Sequence, residues 1–513
     1  MADKRPNILI FMTDQQQGTT VLPEHPCNTP NLDRMAAEGV TFTNVLCPAP
    51  HCCPVRASFM SGLYPSRHGV FNNVNTQTAI NYGLNPGVTL FSEELSDAGY
   101  QLAYSGKWHV SRDEGAEDRG WVNLAGETRK GAGAVMDRRD PDVWQSEKED
   151  LKVNRPRRRG EIIRPGWGNR LLYGSVPAKG PNGYEETGDH RIVQRGLTGL
   201  TDLAAGDDPW CLFIGVSGPH DAFIIPENFA RMYDPESVDL PPNFHDTLED
   251  KPRIYQRMRH QYWGQLSEME VRESIAHYWG YCTMEDALFG LVLGALDATG
   301  QADDTMVIYL SDHGEYCGSH GLYCKGVPAF REAYHVPTIV RWPNGIVEAG
   351  RRVDSSISHT DFAPTFLEMA GVTPRMERSG KSLLPWLRSE TLSSWRDAAF
   401  TQLNGVELYY TQRTITTDRY KYVYNGFDFD EMYNIENDPH ELVNLAFPET
   451  AQMRRPHSNT DPETPWPPLS PELESVRQDL LRRLWEFARE QEDQIFNPYY
   501  TVAMAPIGPA LVM

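Results

Sequence analysis

Apolar runs within residues 7–12, 210–216 and 304–310 each end in a polar exit, and they predict the central elements of this chain. A run that is apolar at successive positions reads as a strand buried on both faces, as in a parallel sheet covered by helices. Residues 40–45 alternate like a further strand, and 100–104 read as another that leads into Ser105–Val110. Helical signals lie between them. Thr29-Pro30 opens a helix that Gly39 closes, a second runs over 90–98 up to Gly99, and residues 254–300 carry long helical periodicity. Helix, strand and polar exit in repetition predict a doubly wound α/β domain with one large sheet.

Residues 111–200 break this rhythm, being rich in glycine and charge without a sustained period. They read as an insertion or long loop region, with the basic run 155–159 as a solvated or interface-facing loop. Beyond residue 343 the pattern changes again: a short helix at 361–371, an antiparallel hairpin at 408–424 and a proline-rich connector at 447–471. Ser470-Pro471 then caps an amphipathic helix with Leu473, Val476, Leu480, Leu484 and Phe487 on one side. The expected organisation is a catalytic domain at 1–385 with its insertion at about 111–200, a smaller α+β domain at 386–490 made of an antiparallel sheet and a helix, and an apolar tail at 491–513. That tail has no obvious core of its own, so it is expected to pack on a neighbouring subunit of a homo-oligomer, a dimer or tetramer.

The 513 residues are 40% hydrophobic and 11% aromatic, enough for a large core. A formal net charge of −22 argues against a nucleic-acid partner and requires any anion site to be locally positive. Eight cysteines in so long a chain are too sparse for a disulfide scaffold, so reduced thiols are expected. No run is long enough for a membrane span, and the first apolar run is too short for a signal segment; the expectation is a cytoplasmic protein.

The strand exits carry the candidate chemistry. Asp14 and Gln15 follow the first run, and Asp312 and His313 follow the last. Ligands gather at strand carboxyl ends in such sheets, so these four form one possible metal set. Oxygen donors favour a hard divalent cation, and the histidine moves the preference from calcium toward manganese. A second set could surround an anion: Cys52 with Arg56, then Lys107, His109, His220 and Lys325. Pro54 places Cys52 at a helix N-terminus, where free amides favour anionic groups, although a buried structural cysteine before an ordinary helix fits the same spacing. Lys107 and His109, two apart on extended backbone, would project to one face. They suit anion binding with proton transfer, or else a solvated lysine beside a packed histidine.

Taken together, Pro6–Asp14, Thr29–Asp33, Cys52-x-Pro54-x-Arg56 with Ser61–Pro65, Gly106–His109, Pro219-His220, Ser311–Gly314, Lys325 and Glu431–Pro439 resemble the sulfatase family of the alkaline-phosphatase-like superfamily. The resemblance implies an alkaline-phosphatase-like catalytic domain and a sulfuric ester hydrolase. It implies that a formylglycine-generating enzyme converts Cys52 to formylglycine, whose hydrated aldehyde attacks sulfur beside one divalent metal, Mn2+ or Ca2+, and then expels the sulfate by collapse. Asp14, Gln15, Cys52, Asp312 and His313 would hold the metal. Arg56 would hold the modified side chain, Lys107 and Lys325 the sulfate oxygens, His109 the second hydroxyl and His220 the leaving oxygen. Asn72 is expected to reach the anion as well.

Three departures qualify the resemblance: Val55 stands where the motif has serine, Gln15 where many members carry aspartate, and His313 where many carry asparagine. They resemble the branch holding phosphonate monoester hydrolases and choline sulfatases. The retained Lys107 and His109 favour sulfate monoesters, aryl or small, over the alternative of a phosphonate monoester or phosphodiester hydrolase with sulfatase side activity. The substrate expected is a small anionic ester.

Overall fold

A computed structural model describes residues 5–126, 155–164, 168–447, 469–496 and 505–512, apart from positions 77, 391, 393, 394 and 407. Much of the expected insertion and nearly all of the proline-rich connector therefore lie outside the described residues. In chain order the strands are β1 (Asn7–Thr13), β2 (Val40–Phe42), β3 (Gln101–Gly106), β4 (Val122–Asn123), β5 (Glu161–Arg164), β6 (Gly168–Leu171), β7 (Tyr173–Val176) and β8 (Trp210–Gly215). They continue with β9 (Phe223–Pro226), β10 (Thr305–Ser311), β11 (Thr338–Arg341), β12 (Arg351–Val353), β13 (Ala398–Leu403), β14 (Gln412–Thr417), β15 (Tyr420–Asn425) and β16 (Glu431–Asn434).

Eight of these form a mixed sheet in the order β12-β2-β11-β10-β1-β8-β3-β4. β1 pairs in parallel with both β10 and β8, β8 with β3, and only β11 runs against its neighbours. Alternation explains the all-apolar run in β1: Ile8, Ile10 and Met12 enter one core, and Leu9 and Phe11 enter the core on the opposite face. The first core is closed by the helices Cys52–Ser61, Phe91–Asp97 and Phe362–Met369. The second is closed by Pro30–Ala37, Gly188–Ala204 and the long Glu268–Ala298.

The Gly188–Ala204 helix corrects the sequence expectation, which placed residues up to 200 in the irregular insertion. It packs on β3 and β8 as part of the main domain. Its apolar positions Ile192, Val193, Leu197 and Leu200 are interrupted by Gly196, which weakens the helical signal. The glycine is needed because a Cβ there would lie 2.5 Å from Ile214 Cδ1. The basic run is not free either: Arg155 pairs with Glu161, while Arg157 and Arg159 pair with Glu270 and Glu273 on the long helix, pinning the β5–β6 hairpin to it.

The C-terminal region forms the antiparallel sheet β13-β14-β15-β16 with the helix Pro471–Glu490 across it. Ser470 caps that helix, its side chain accepting from Leu473 N at 3.2 Å. The apolar tail, expected against a neighbouring subunit, instead rests in its described part on this helix of its own chain: Ala505 and Ile507 join its core, and Trp485 Nε1 donates to Ile507 O at 3.1 Å. All eight cysteines are free thiols. Among the described residues no helix is long and apolar enough to cross a membrane.

Candidate active site

Four adjacent parallel strands, β10, β1, β8 and β3, end side by side and deliver Asp312 and His313, Asp14 and Gln15, His220, and Lys107 and His109 respectively. This is the carboxyl edge of the sheet, where the turns open to a ligand. Gly106 allows β3 to close on β8 there: its φ is +106° and a Cβ would lie 2.0 Å from Gly215 O. Cys52 comes from above the sheet as the first residue of its helix, which ends at Gly62 in the left-handed conformation.

Asp14, Cys52, Asp312 and His313 are fully buried, and a donor atom from each lies within 4.8 Å of all the others. Cys52 Sγ is 3.2 Å from His313 Nε2 and 3.8 Å from Asp14 Oδ1. His313 Nδ1 faces Gly314 O at 2.9 Å, a contact it can make only as donor, so in the neutral ring Nε2 presents a lone pair. That lone pair faces Asp14 Oδ1 at 3.6 Å and Asp312 Oδ1 at 3.7 Å. Two carboxylates, an imidazole lone pair and a sulfur converging without a proton between them fit a divalent cation.

Arg56, 1% exposed, lies behind this set: Nε donates to Asp312 Oδ2 at 2.9 Å, NH2 to Asp14 Oδ2 at 3.3 Å and NH1 to Lys107 O at 2.9 Å. Its guanidinium thus positions both acidic ligands, where the family resemblance had it hold the modified side chain. Lys107 Nζ also donates to Asp14. Burial and the Cys52 sulfur push the Asp14 carboxyl up, but Lys107, His220 and Arg56 prevail and hold it well below the usual carboxylate range.

Burial would likewise raise the Cys52 thiol, yet Lys107, Lys325 and His313, with a hydrogen bond from His109, bring it well below the usual thiol range. His109 reaches the sulfur by a route other than the expected one. Its φ is +55°, so Lys107 and His109 converge through a left-handed turn and not through strand alternation. Its Nδ1 is buried without a partner.

Lys325 Nζ bridges Gln15 Oε1 at 2.6 Å and His220 Nε2 at 2.7 Å. The Gln15 amide nitrogen donates to Asp221 Oδ1 at 2.9 Å and to Glu315. Gln15 Oε1, the atom expected at the metal, thus also accepts from Lys325. Asn72, expected at the anion, uses its carboxamide to close the following loop, donating to Thr78 O at 2.7 Å and accepting from Ile80 N at 3.0 Å. In both amides the oxygen keeps a second lone pair beside the partner it has.

Three side chains that the motifs did not single out complete the surroundings. Glu315 is fully buried, which raises its carboxyl to about 7 against the lowering effect of the Cys317 and Cys324 amides. Asp221 pairs with Arg170, carried by the β5–β6 hairpin. His51, the N-cap of the Cys52 helix, is buried with Nδ1 unpartnered, and its pKa is well below the ordinary value because of that burial. Glu315 and Asp221 directly follow exit motifs, a signal of position though not of partner. His320, close to Lys325 in sequence, points elsewhere: its ring stacks on Phe330 and meets Asp246 Oδ2 at 2.7 Å.

A family profile described as Sulfatase matches residues 6–372, and one described as N-sulphoglucosamine sulphohydrolase, C-terminal, matches residues 318–456. The sulfatase YidJ of Escherichia coli (strain K12), described as uncharacterised, is 30% identical over 450 residues, covering 86% of this chain and 83% of the relative. A choline-sulfatase of Rhizobium meliloti (strain 1021) is 28% identical over 473 residues, covering 87% and 83%. The solved phosphonate monoester hydrolase of Agrobacterium radiobacter shares the fold with a TM-score of 0.72 at 22% identity, over 95% of this chain and 96% of that one. Since the first profile spans the whole strand-end constellation from Asp14 to Lys325, this chain belongs to the sulfatase family and is a sulfuric ester hydrolase.

Proposed function

We propose that the protein hydrolyses sulfate monoesters, aryl or small organic sulfates, after a formylglycine-generating enzyme has converted Cys52 to formylglycine. The observation that carries this reading is the placing of Cys52 between a possible cation-binding set, Asp14, Asp312 and His313, and the cations Lys107 and Lys325 with the His109 imidazole beside them. A formylglycine at position 52 supplies a hydrated aldehyde as nucleophile, and a divalent cation held by Asp14, Asp312 and His313 supplies positive charge beside it. The other residues act on the ester. Lys107 and Lys325 neutralise the sulfate oxygens, and because their ammonium groups are already anchored on Asp14 and Gln15 little ordering remains when the anion arrives. Arg56 holds the Asp14 and Asp312 carboxylates in place through one ion pair to each.

His220 serves the leaving oxygen. Its Nδ1 faces Asp221 O at 2.7 Å, so Nδ1 carries hydrogen and Nε2 faces Lys325 Nζ. Burial and the Lys325 charge lower the pKa of this imidazole, so the resting ring is neutral with Nε2 accepting from the Lys325 ammonium, and that ammonium is the source of the proton passed at Nε2 to the departing alkoxide. The lysine cations also explain how a chain of net charge −22 receives an anion.

Peptide mass spectrometry at Cys52 is expected to find formylglycine, and Cys52→Ala is expected to lose at least about a thousandfold in kcat/KM on an aryl sulfate. Full activity in that variant would sink the proposal. Measuring kcat/KM for an aryl sulfate and an aryl phosphonate monoester on one preparation separates the alternative: a clear preference for the phosphonate makes sulfate hydrolysis the side reaction.

A further inference from the structure

We propose that a cavity between the Arg331 turn and the C-terminal sheet is a second binding site, for a small organic anion with a carboxylate head. The cavity has a volume of about 270 Å³ and shares no residue with the site around Cys52. One wall is built of hydroxyls. Thr401 on β13 pairs in register with Thr414 on β14, and Thr416 follows two residues on, so all three face the same side of the sheet. Thr414 is 3% exposed, and its Oγ1 has no hydrogen-bond partner. A buried hydroxyl lacking a partner is costly unless a ligand or water meets it.

The opposite wall carries the charge. Both terminal nitrogens of Arg331 share one neutral acceptor, Asn44 Oδ1, at 3.1 Å each, and among the described residues this guanidinium forms no ion pair. Lys421 also lines the cavity, but it is taken by Glu441, whose other oxygen accepts from the Arg331 backbone N–H. Within the lining Arg331 and Lys421 stand against Glu441, and Glu332, outside it, adds a second carboxylate near Arg331. Burial lowers the Arg331 pKa in spite of the Glu441 and Glu332 carboxylates. Arg56, Arg378 and Arg413, whose side chains are at most 3% exposed, each meet a carboxylate, whereas the half-buried Arg331 forms no such pair and would gain one from an incoming anion.

The rest of the lining defines the ligand's body. Leu46, Ala329, Ile435 and Pro439 present apolar surface, and the volume exceeds what an inorganic oxyanion fills. A flat or short apolar body with one anionic head on Arg331 and an oxygen toward Thr414 matches both walls. The cavity also touches the catalytic frame through the backbone: the Glu332 and Ala333 carbonyls, next after Arg331, accept from the Glu315 and Gly314 amides that follow His313.

The test uses benzoate and, separately, inorganic sulfate as probes in titration calorimetry on the metal-loaded full chain. Benzoate is expected to bind the wild type with one-to-one stoichiometry, undisplaced by saturating inorganic sulfate. Its Kd should rise at least tenfold in Arg331→Gln and several-fold in Thr414→Val, while kcat/KM on an aryl sulfate without benzoate stays within twofold of wild type. Thr414→Val, nearly isosteric, keeps the test decisive if Arg331→Gln does not fold. No benzoate binding, binding unchanged in the variants, or binding displaced by inorganic sulfate would each overturn the proposal. Inorganic sulfate alone binding with sensitivity to Arg331 would overturn its organic part.

Discussion

Single side chains in this site act mainly by holding one another. Gln15 is the clearest case: its oxygen accepts from Lys325 and its nitrogen donates to Asp221 and Glu315, so it ties the cation near the leaving group to the floor of the pocket. Gln15→Leu is therefore expected to lower kcat/KM about 10- to 100-fold while leaving metal content unchanged, as measured by elemental analysis beside kinetics. Loss of metal in that variant would place Gln15 in the ligand set. Arg56 is the complementary case. With a guanidinium 1% exposed between two buried carboxylates, Arg56→Gln leaves Asp14 and Asp312 in mutual repulsion and is expected to cost about 3–5 kcal/mol, read from urea unfolding.

Whole elements set where those side chains arrive. The Cys52 helix is short, buried along its entire length and stopped by Gly62 at φ +70°. Alanine at that position would face both the left-handed backbone and the Ala363 Cβ at 3.1 Å. Gly62→Ala is thus expected to destabilise the protein by roughly 1–2 kcal/mol, visible as a lowered urea midpoint. The β5–β6 hairpin is fixed differently, by arginine–glutamate pairs to the long helix, one of them bidentate with both contacts at 2.7 Å. Those pairs carry Arg170 to Asp221 at the edge of the catalytic pocket.

Across the molecule the region of the large sheet and the C-terminal sheet are joined by buried polar contacts as well as apolar packing. Gln402 on β13 accepts from Ser66 N at 2.9 Å and donates to Asp493, which also holds Arg413. Acid should expose a second global property. Burial lowers His25 to about 4 and both His68 and His335 to about 3, below the ordinary imidazole value near 6.5. Between those values the unfolded chain binds protons that the folded chain does not, so this contribution to stability is full above about pH 6.5 and is lost as pH falls through the folded values. Buried carboxylates such as Glu315 and Asp430, raised to about 7, act in the opposite sense over the same window, so the histidine part is read by difference: the fall in urea midpoint from pH 7 to pH 5 is expected to be smaller in His68→Gln and in His335→Gln than in wild type. An unchanged pH dependence in both variants would contradict the buried, neutral state of these rings.

Composition and local pattern alone determined the strands, the capped helices and the sequence of polar exits, because each of these is written within a few consecutive residues, while the class of chemistry came from the resemblance of the exit motifs to the sulfatase family. An apolar run such as 8–12 can only be buried on both faces, and Thr29-Pro30 or Ser470-Pro471 can only begin a helix economically. What the tertiary structure decided is which ends of the polar side chains meet. Gln15 and Arg56 each have several donors or acceptors, and the partners they choose come from strands or loops tens to hundreds of residues away, while Asn72 closes on its own loop six to eight residues on. The Gly188–Ala204 helix and the left-handed turn at His109 were hidden for a related reason: glycine contacts and positive φ arise from close approach of distant backbone, and no local period records them. The basic run 155–159 likewise looked solvated because its glutamate partners lie about a hundred residues downstream, on a helix that only folding brings alongside.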